Sequence, residues 1–422
     1  MGVIKISTTY TYKNKNEKHW IVLLVASLLF GKFGGIINSS IGVFYSPVSE
    51  ELGILRGSFA LHATITLITL GIVSLFVHPI VDRYGWKPTY IVAVVLAVIG
   101  TSGMAFTNNL IVFYILGAIR GIGTGFFGMV SVAMFINNWF YEKNGLALSI
   151  ASGTSGVMGI IFAPTFAKII SNFGWKIGFI SMGGLILLLS IPGIFLPYSV
   201  KPEEDGLVPY GLPEQTDGSN HHKMTRTKKY DLKDAMPSFL AMVAFSILLA
   251  NIIGMNQHLS SYGESIGMTL ELSGYILSAV MMGNVAFKII FGPISDRFGV
   301  IPATLVMIGS NSVSLLLMIF SQHAYVTIFA AYMFGSIFSI GSIAKPILTR
   351  QYFGVKLSEK VYPIITFASS IGTAFANTIV GYIFDFTGSY SSAFLIGLLI
   401  HTMILFTIFI VYKYSVIRRD RA

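Results

Sequence analysis

Hydrophobic and polar positions along this chain fall into long blocks. Twelve apolar runs follow one another, at 20–45, 58–80, 88–107, 110–136, 145–169, 175–197, 236–258, 270–291, 301–320, 324–345, 360–384 and 390–412. Each reaches the ~20 residues that a helix needs to cross the hydrocarbon of a bilayer. Alternation with a period of two is absent, and the runs are too long for barrel strands. Helices satisfy their own backbone polar groups, as lipid requires. The pattern predicts an all-α membrane protein of twelve transmembrane helices.

The longest polar interruption, 198–235, divides six runs from six. The predicted organisation is a tail at 1–19, a six-helix bundle at 20–197, a linker at 198–235, a second six-helix bundle at 236–412 and a tail at 413–422. The linker starts acidic at Lys201-Pro-Glu-Glu-Asp205 and ends basic between His221 and Lys229. It reads as a solvated connector whose basic part lies near anionic lipid. The first run is too long for a signal core and has no small-residue cleavage site, so it reads as a spanning helix.

Composition agrees with this reading. The chain is 54% hydrophobic and 11% charged, where a soluble domain is about a quarter charged. It has no cysteine, which excludes disulfides and thiolate metal sites. The net charge of +10 would suggest nucleic acid in a soluble protein. Here its distribution points to a lipid bilayer and not to nucleic acid. With the N-terminus inside, the inner tails and loops hold 22 of the 28 Lys and Arg, and the outer side keeps Arg56, Lys168 and Lys176. By the positive-inside rule both termini are cytoplasmic, as for a multi-pass protein of a bacterial inner membrane.

The remaining three bases change the picture. Lys32, Arg120 and Lys288 fall inside apolar runs, whereas none of the 18 acids lies in the middle of one. A charge at mid-bilayer depth costs ~3 kcal/mol on insertion scales. Cations without buried carboxylates need another source of negative charge, and an anionic small-molecule substrate is the simplest.

The halves repeat. Asp82-Arg83-Tyr84-Gly85 follows the second run and Asp296-Arg297-Phe298-Gly299 follows the eighth, 214 residues later. Parallel repeats of six helices are one transporter plan. On these residues the chain resembles the major facilitator superfamily. That family's signature, Gly-x-x-x-Asp-Arg-x-Gly, is intact from Gly292 to Gly299, while His78 replaces the opening glycine of the first copy. Arg120-Gly-Ile-Gly123-Thr-Gly125 resembles its Arg-containing motif in the fourth helix. Asn138-Trp-Phe140, Gly145-Leu-Ala147 and Gly153-x-x-Gly156-x-x-Gly159 are similar to monocarboxylate transporters and oxalate/formate-type antiporters. Gly174-Trp175-Lys176, Pro209-Tyr210-Gly211 and Asp385-Phe-Thr-Gly388-Ser-Tyr390 fit their bacterial members. The resemblance implies a two-bundle carrier working by alternating access, with Asp82, Arg83, Asp296 and Arg297 as a conformational latch.

Lys288 is the leading substrate contact. It lies eight residues before Asp296, ~12 Å along the helix, and it matches the position of a substrate-binding Arg in the resembled group. That group's acidic partner one turn earlier is replaced by Asn284. The alternative is a lysine that reaches back to the interface. Lys32, with Gly35 and Ser39 at helical spacing, suits a cavity wall or a helix-packing role. Arg120 either bonds neighbouring helices or touches the anion. Weaker polar stripes add Asn251 and His258 in the seventh helix, Tyr332 in the tenth and Asn377 in the eleventh. Such groups also simply bond between helices.

A phosphate loop and a zinc-protease motif are both missing from the sequence. No enzyme, cofactor or metal is expected. The expected function is a monomeric secondary transporter of a small organic anion, a mono- or dicarboxylate. With no buried acid to carry a proton, antiport or facilitated diffusion is favoured. The rivals are a multidrug exporter of the same plan and a non-transporting membrane sensor.

Overall fold

The computed structural model describes residues 17–211 and 235–414. Its spanning helices are α1 (Glu17–Leu52), α2 (Arg56–Ser74), α3 (Trp86–Phe106) and α4 (Leu110–Trp139), then one continuous stretch Asn144–Phe195, then α7 (Met236–Ser265), α8 (Leu270–Phe298), α9 (Val300–Phe320), α10 (Ala324–Gly354), α11 (Lys360–Thr387) and α12 (Ser391–Lys413). The stretch Asn144–Phe195 is broken at Gly174 (φ 80°, ψ 164°) into α5 (144–173) and α6 (175–195), so the twelve expected spans are present. Successive spans run antiparallel. Residues 17, 211, 235 and 414 therefore share one end, called here the linker end, and the opposite end is the far end.

Four helix junctions use one backbone solution. Gly85 (φ 79°, ψ 161°), Gly174, Gly299 (φ 93°, ψ 163°) and Gly354 (φ 73°, ψ 169°) turn the chain with almost no loop. That region of backbone space is open essentially to glycine alone. Two of these glycines close the Asp-Arg-x-Gly repeats, which explains why the signature ends on glycine.

Several boundaries differ from the sequence pattern. α1 runs to Leu52, past the expected 45, and α7 runs to Ser265, past the expected 258. The added turns carry Glu50, Glu51 and Glu264 at the far end. The apolar pattern stops there, but the backbone stays helical under the cover of neighbouring helices. Glu264 is half-buried, and among the described residues one of its oxygens is buried without a partner.

The first part of the linker is not a free connector. Tyr210 N donates to Trp139 O at 2.7 Å, and Tyr141 N and Glu142 N both donate to Tyr210 O at 3.0 Å. Trp139 Nε1 and Asn138 Nδ2 donate to Val200 O at 3.2 and 3.1 Å. His19 sets its ring edge-on to Trp139, with its Nε2 3.0 Å from Val208 O. The Asn138-Trp139-Phe140 and Pro209-Tyr210-Gly211 motifs thus form one strap across the linker end of α1 and α4. The basic segment from His221 to Lys229 lies outside the described residues.

The glycine junctions generate a prediction. A methyl group at Gly174 or at Gly184 would meet nothing within 4 Å, but only Gly174 has a positive φ. Gly174→Ala should therefore lower stability by about 1–3 kcal/mol. Gly184→Ala, mid-helix, should be neutral or mildly stabilising. Thermal unfolding of both variants in detergent checks this, and equal shifts would contradict it.

Candidate functional site

The two six-helix halves meet along α1–α7, α2–α11 and α5–α8, and the far end is closed. Asp385, at the end of α11, accepts hydrogen bonds from Arg56 N at 3.1 Å and Gly57 N at 2.8 Å, the first backbone amides of α2. A carboxylate there meets the positive end of the helix dipole and two orphan donors together. The backbones cross closely beside it, since a Cβ on Gly381 would stand 2.7 Å from Gly57 Cα. Ser58 and Tyr382 share a hydrogen bond at 3.1 Å, and Thr64 reaches Ala374 O and Thr378 from the same helix pair.

A second polar seam lies at the heart of the far half. Tyr45 donates to Gln257 Oε1 at 2.8 Å and accepts from Asn377 Nδ2 at 2.7 Å. Gln257 Nε2 donates to Asn38 Oδ1 at 2.9 Å. His258 places Nε2 2.6 Å from Asn377 O, and its ring lies against Tyr45. A Cβ on Gly42 would collide with the Gln257 carbonyl, so α1 and α7 touch backbone to backbone. His258 and Asn377 are therefore members of this seam, buried together with Tyr45.

Toward the linker end the halves part. Leu67, Ile68, Gly71 and Ile72 of α2 face Phe367, Ser370, Ile371 and Phe375 of α11 across a crevice of about 280 Å³. Along α5 and α8 the separation has a definite start. A Cβ on Gly156 would touch Val285 at 2.9 Å, whereas one on Gly153 or Gly292 would meet nothing within 4 Å. Lys288 lies on α8 between Val285 and Gly292. It is half-buried, and its ammonium has no hydrogen bond or ion pair among the described residues. Asn284 is one turn deeper and buried, with its Oδ1 unpartnered among the described residues. Tyr332 of α10 packs its ring 5.6 Å from Phe287, beside Lys288.

The other two cations are placed differently. Lys32 is fully buried within the first half. Its ammonium donates to Tyr90 Oη at 2.5 Å and Ser190 Oγ at 2.7 Å, and lies 4.3 Å from the centre of the Phe127 ring. It does not share a face with Ser39, as the spacing suggested. The stretch Gly31–Asn38 is a π-helix, whose wider turn rotates Lys32 away from the Gly35–Ser39 stripe. Gly35 instead abuts Met158 and Ser155 of α5, and Ser39 faces Met281 of α8. Arg120 of α4 donates from Nη2 and Nε to Thr66 Oγ1 of α2 at 3.0 and 3.3 Å, tying two helices of one half together. Asn251 is turned back on its own helix, donating to Ile247 O at 2.8 Å.

Asp82, Arg83, Asp296 and Arg297 are all exposed at the linker end. Arg83 lies over Tyr84 and Arg297 over Phe298, each the next residue in the chain. Among the described residues these four carry no ion pair. Nor do the described residues hold a cluster of three His, Cys, Asp or Glu able to bind a metal.

Comparison with known proteins decides the family. A family model described as Major Facilitator Superfamily matches residues 23–344 and 236–421. The chain belongs to the major facilitator superfamily. It is a multi-pass membrane protein whose relatives are transporters rather than enzymes. Among curated relatives, human monocarboxylate transporter 12 is 24% identical over 335 residues, 71% of this chain and 62% of that protein. Mouse monocarboxylate transporter 2 is 24% identical over 276 residues, 62% of this chain and 55% of that protein. The match thus spans about three fifths of these relatives' own length. Among solved structures, the nucleoside transporter NupG has a TM-score of 0.69 at 11% identity, covering 94% of this chain and 98% of that one. A D-xylose-proton symporter has a TM-score of 0.68 at 17% identity, covering 92% and 96%. At such identities these two speak for the superfamily fold alone.

In the sequence Asp385 stands out only as part of the Asp385-to-Tyr390 motif, which does not announce a far-end clasp. A signal for it exists. Gly85 and Gly174 are 89 residues apart, and so are Gly299 and Gly388, so each half is itself a repeat of three helices. Asp385 occupies in the last unit the place that Asp82 and Asp296 hold in theirs.

The clasp yields a prediction. Asp385→Asn removes the charge at the start of α2, an interaction of about 0.3–1 kcal/mol at an exposed helix end and up to ~2 when partly buried. The halves should then spend less time parted at the linker end. The chain has no cysteine, so a single Gly71→Cys probe in the crevice reports this directly. Its labelling by a polar thiol reagent should slow several-fold on adding Asp385→Asn, and an unchanged rate would contradict the clasp.

Proposed function

We propose that this chain carries small organic anions, mono- or dicarboxylates, across a bacterial inner membrane by alternating access. The observation that carries the reading is Lys288. It is a cation without a described partner, at the apex of the gap where α5 and α8 separate. A substrate carboxylate placed there supplies the missing counter-charge. The names of the monocarboxylate transporter relatives support the substrate class.

In this reading the linker end is cytoplasmic, because it collects the Lys and Arg residues. The observed arrangement is then closed outside and parted inside. Lys32 and Arg120 act as internal ties of the first half, held by Tyr90, Ser190 and Thr66. Asp82 and Asp296, without an ion pair among the described residues, serve as latch carboxylates when the inner end closes. Asp296→Asn should then slow transport without blocking membrane insertion.

Transport proceeds as exchange or facilitated diffusion, since among the described residues no acid pairs with Lys288 to carry a proton. Export of cationic drugs is disfavoured, because such a solute would meet like charge at mid-depth. The carrier acts as a monomer, one cleft between its two halves.

Titration of acetate, butyrate, oxalate and succinate into purified protein tests the reading. Lys288→Gln should weaken the binding of accepted anions by about 2–5 kcal/mol, roughly thirty-fold or more. Lys288→Arg should retain part of it, because charge survives while geometry changes. Equal binding by wild type and Lys288→Gln would sink the proposal.

A further inference from the structure

Lys288 fixes only the head of an anion. α8 shows what its tail would meet. Lys288, Val285 and Met281 recur at helical spacing and share one stripe. Met281 lies seven residues deeper, about 10 Å along the axis. A Cβ on Gly159 of α5 would stand 2.7 Å from Met281 Cγ. The Met281 sulfur is 3.5 Å from Ser39 Oγ of α1 and 3.9 Å from Asn284 Nδ2. One side chain thus fills the corner between α1, α5 and α8, where the two halves touch. Beyond it the seam is firm: Ser278 Oγ donates to Ile160 O at 2.7 Å, and a Cβ on Gly274 would press on Ala167 at 2.7 Å.

We propose that Met281 sets the length of the anion that the carrier accepts, a specificity role that rests on the Lys288 reading. A thioether is a weak acceptor on an unbranched chain with three rotatable bonds. Its contacts to Ser39 and Asn284 occupy the corner without tying it. Both polar neighbours have reasons to tolerate its movement. Ser39 Oγ also donates to Gly34 O at 2.6 Å, so it keeps a partner. Among the described residues the buried Asn284 Oδ1 has no partner, so it can accept from a substrate hydroxyl. The space that a tail can gain is therefore the volume of the Met281 side chain, with the Ser278–Ile160 bond as the stop.

Two substitutions act in opposite directions. Met281→Ala opens the corner. Gly159→Ala pushes the Met281 side chain toward the site, since the added methyl would otherwise overlap its Cγ. Met281→Leu has similar volume and keeps the wild-type ranking. Each variant is reconstituted in vesicles, and binding of acetate, butyrate and hexanoate is measured beside wild type and Lys288→Gln. Thermal unfolding checks that each variant is folded.

In Met281→Ala the hexanoate-to-acetate affinity ratio should rise roughly tenfold, as about two further methylenes reach an apolar site. In Gly159→Ala it should fall. An unchanged ratio in both, with Lys288→Gln still defective, overturns the role of Met281 and leaves the Lys288 reading standing. Binding that survives Lys288→Gln, or no carboxylate binding by wild type, overturns both. If Met281→Ala does not fold, the Gly159→Ala ratio alone decides: a fall supports the proposal and no change refutes it.

Discussion

A cation held in hydrocarbon needs a counter-charge or a dense shell of acceptors. The three bases inside the apolar runs meet that need in different ways. Lys32 is wrapped by two hydroxyls and an aromatic face. Arg120 is tied to a threonine of the next helix. Among the described residues Lys288 receives neither, and of the three it is the one that lies where α5 and α8 come apart. The proposed function follows from that asymmetry: the first two cations are anchored for the fold, and the third is left for the substrate.

The same low dielectric shapes the contacts between the halves. At the far end they are made of short, directed bonds: a carboxylate on a helix start, and a tyrosine bridging a glutamine and an asparagine. Bonds of this kind are stronger away from water. Toward the linker end the facing surfaces are mostly apolar side chains around a crevice. Glycine pairs such as Gly57 with Gly381 bring the backbones together at the closed end. A rocking motion about the α5–α8 seam would exchange one set of contacts for the other.

Much of the fold was legible because lipid imposes long apolar runs and leaves little choice of secondary structure. The twelve spans and the two halves could be read directly. Helix ends could not, since Glu50 and Glu264 stay helical where the apolar pattern stops. The strap was hidden for a different reason: Tyr210 acts through its backbone, and nothing in its side chain announces a bond to Trp139. The site was only partly legible. Depth singled out Lys288, Lys32 and Arg120, but depth does not give direction. A regular 3.6-residue wheel put Lys32 with Ser39, and one π-helical stretch undid it. His258 and Asn377 read as site residues because they are polar and deep. They bond instead to the seam that closes the far end.

A map of the purified carrier with a bound small carboxylate, such as butyrate, tests the central claim most directly. The account predicts the carboxylate within about 4 Å of the Lys288 ammonium, the range of an ion pair, with its tail directed toward Asn284 and Met281. A carboxylate seated instead on Lys32 or Arg120, with Lys288 turned to the linker-end surface, would contradict it.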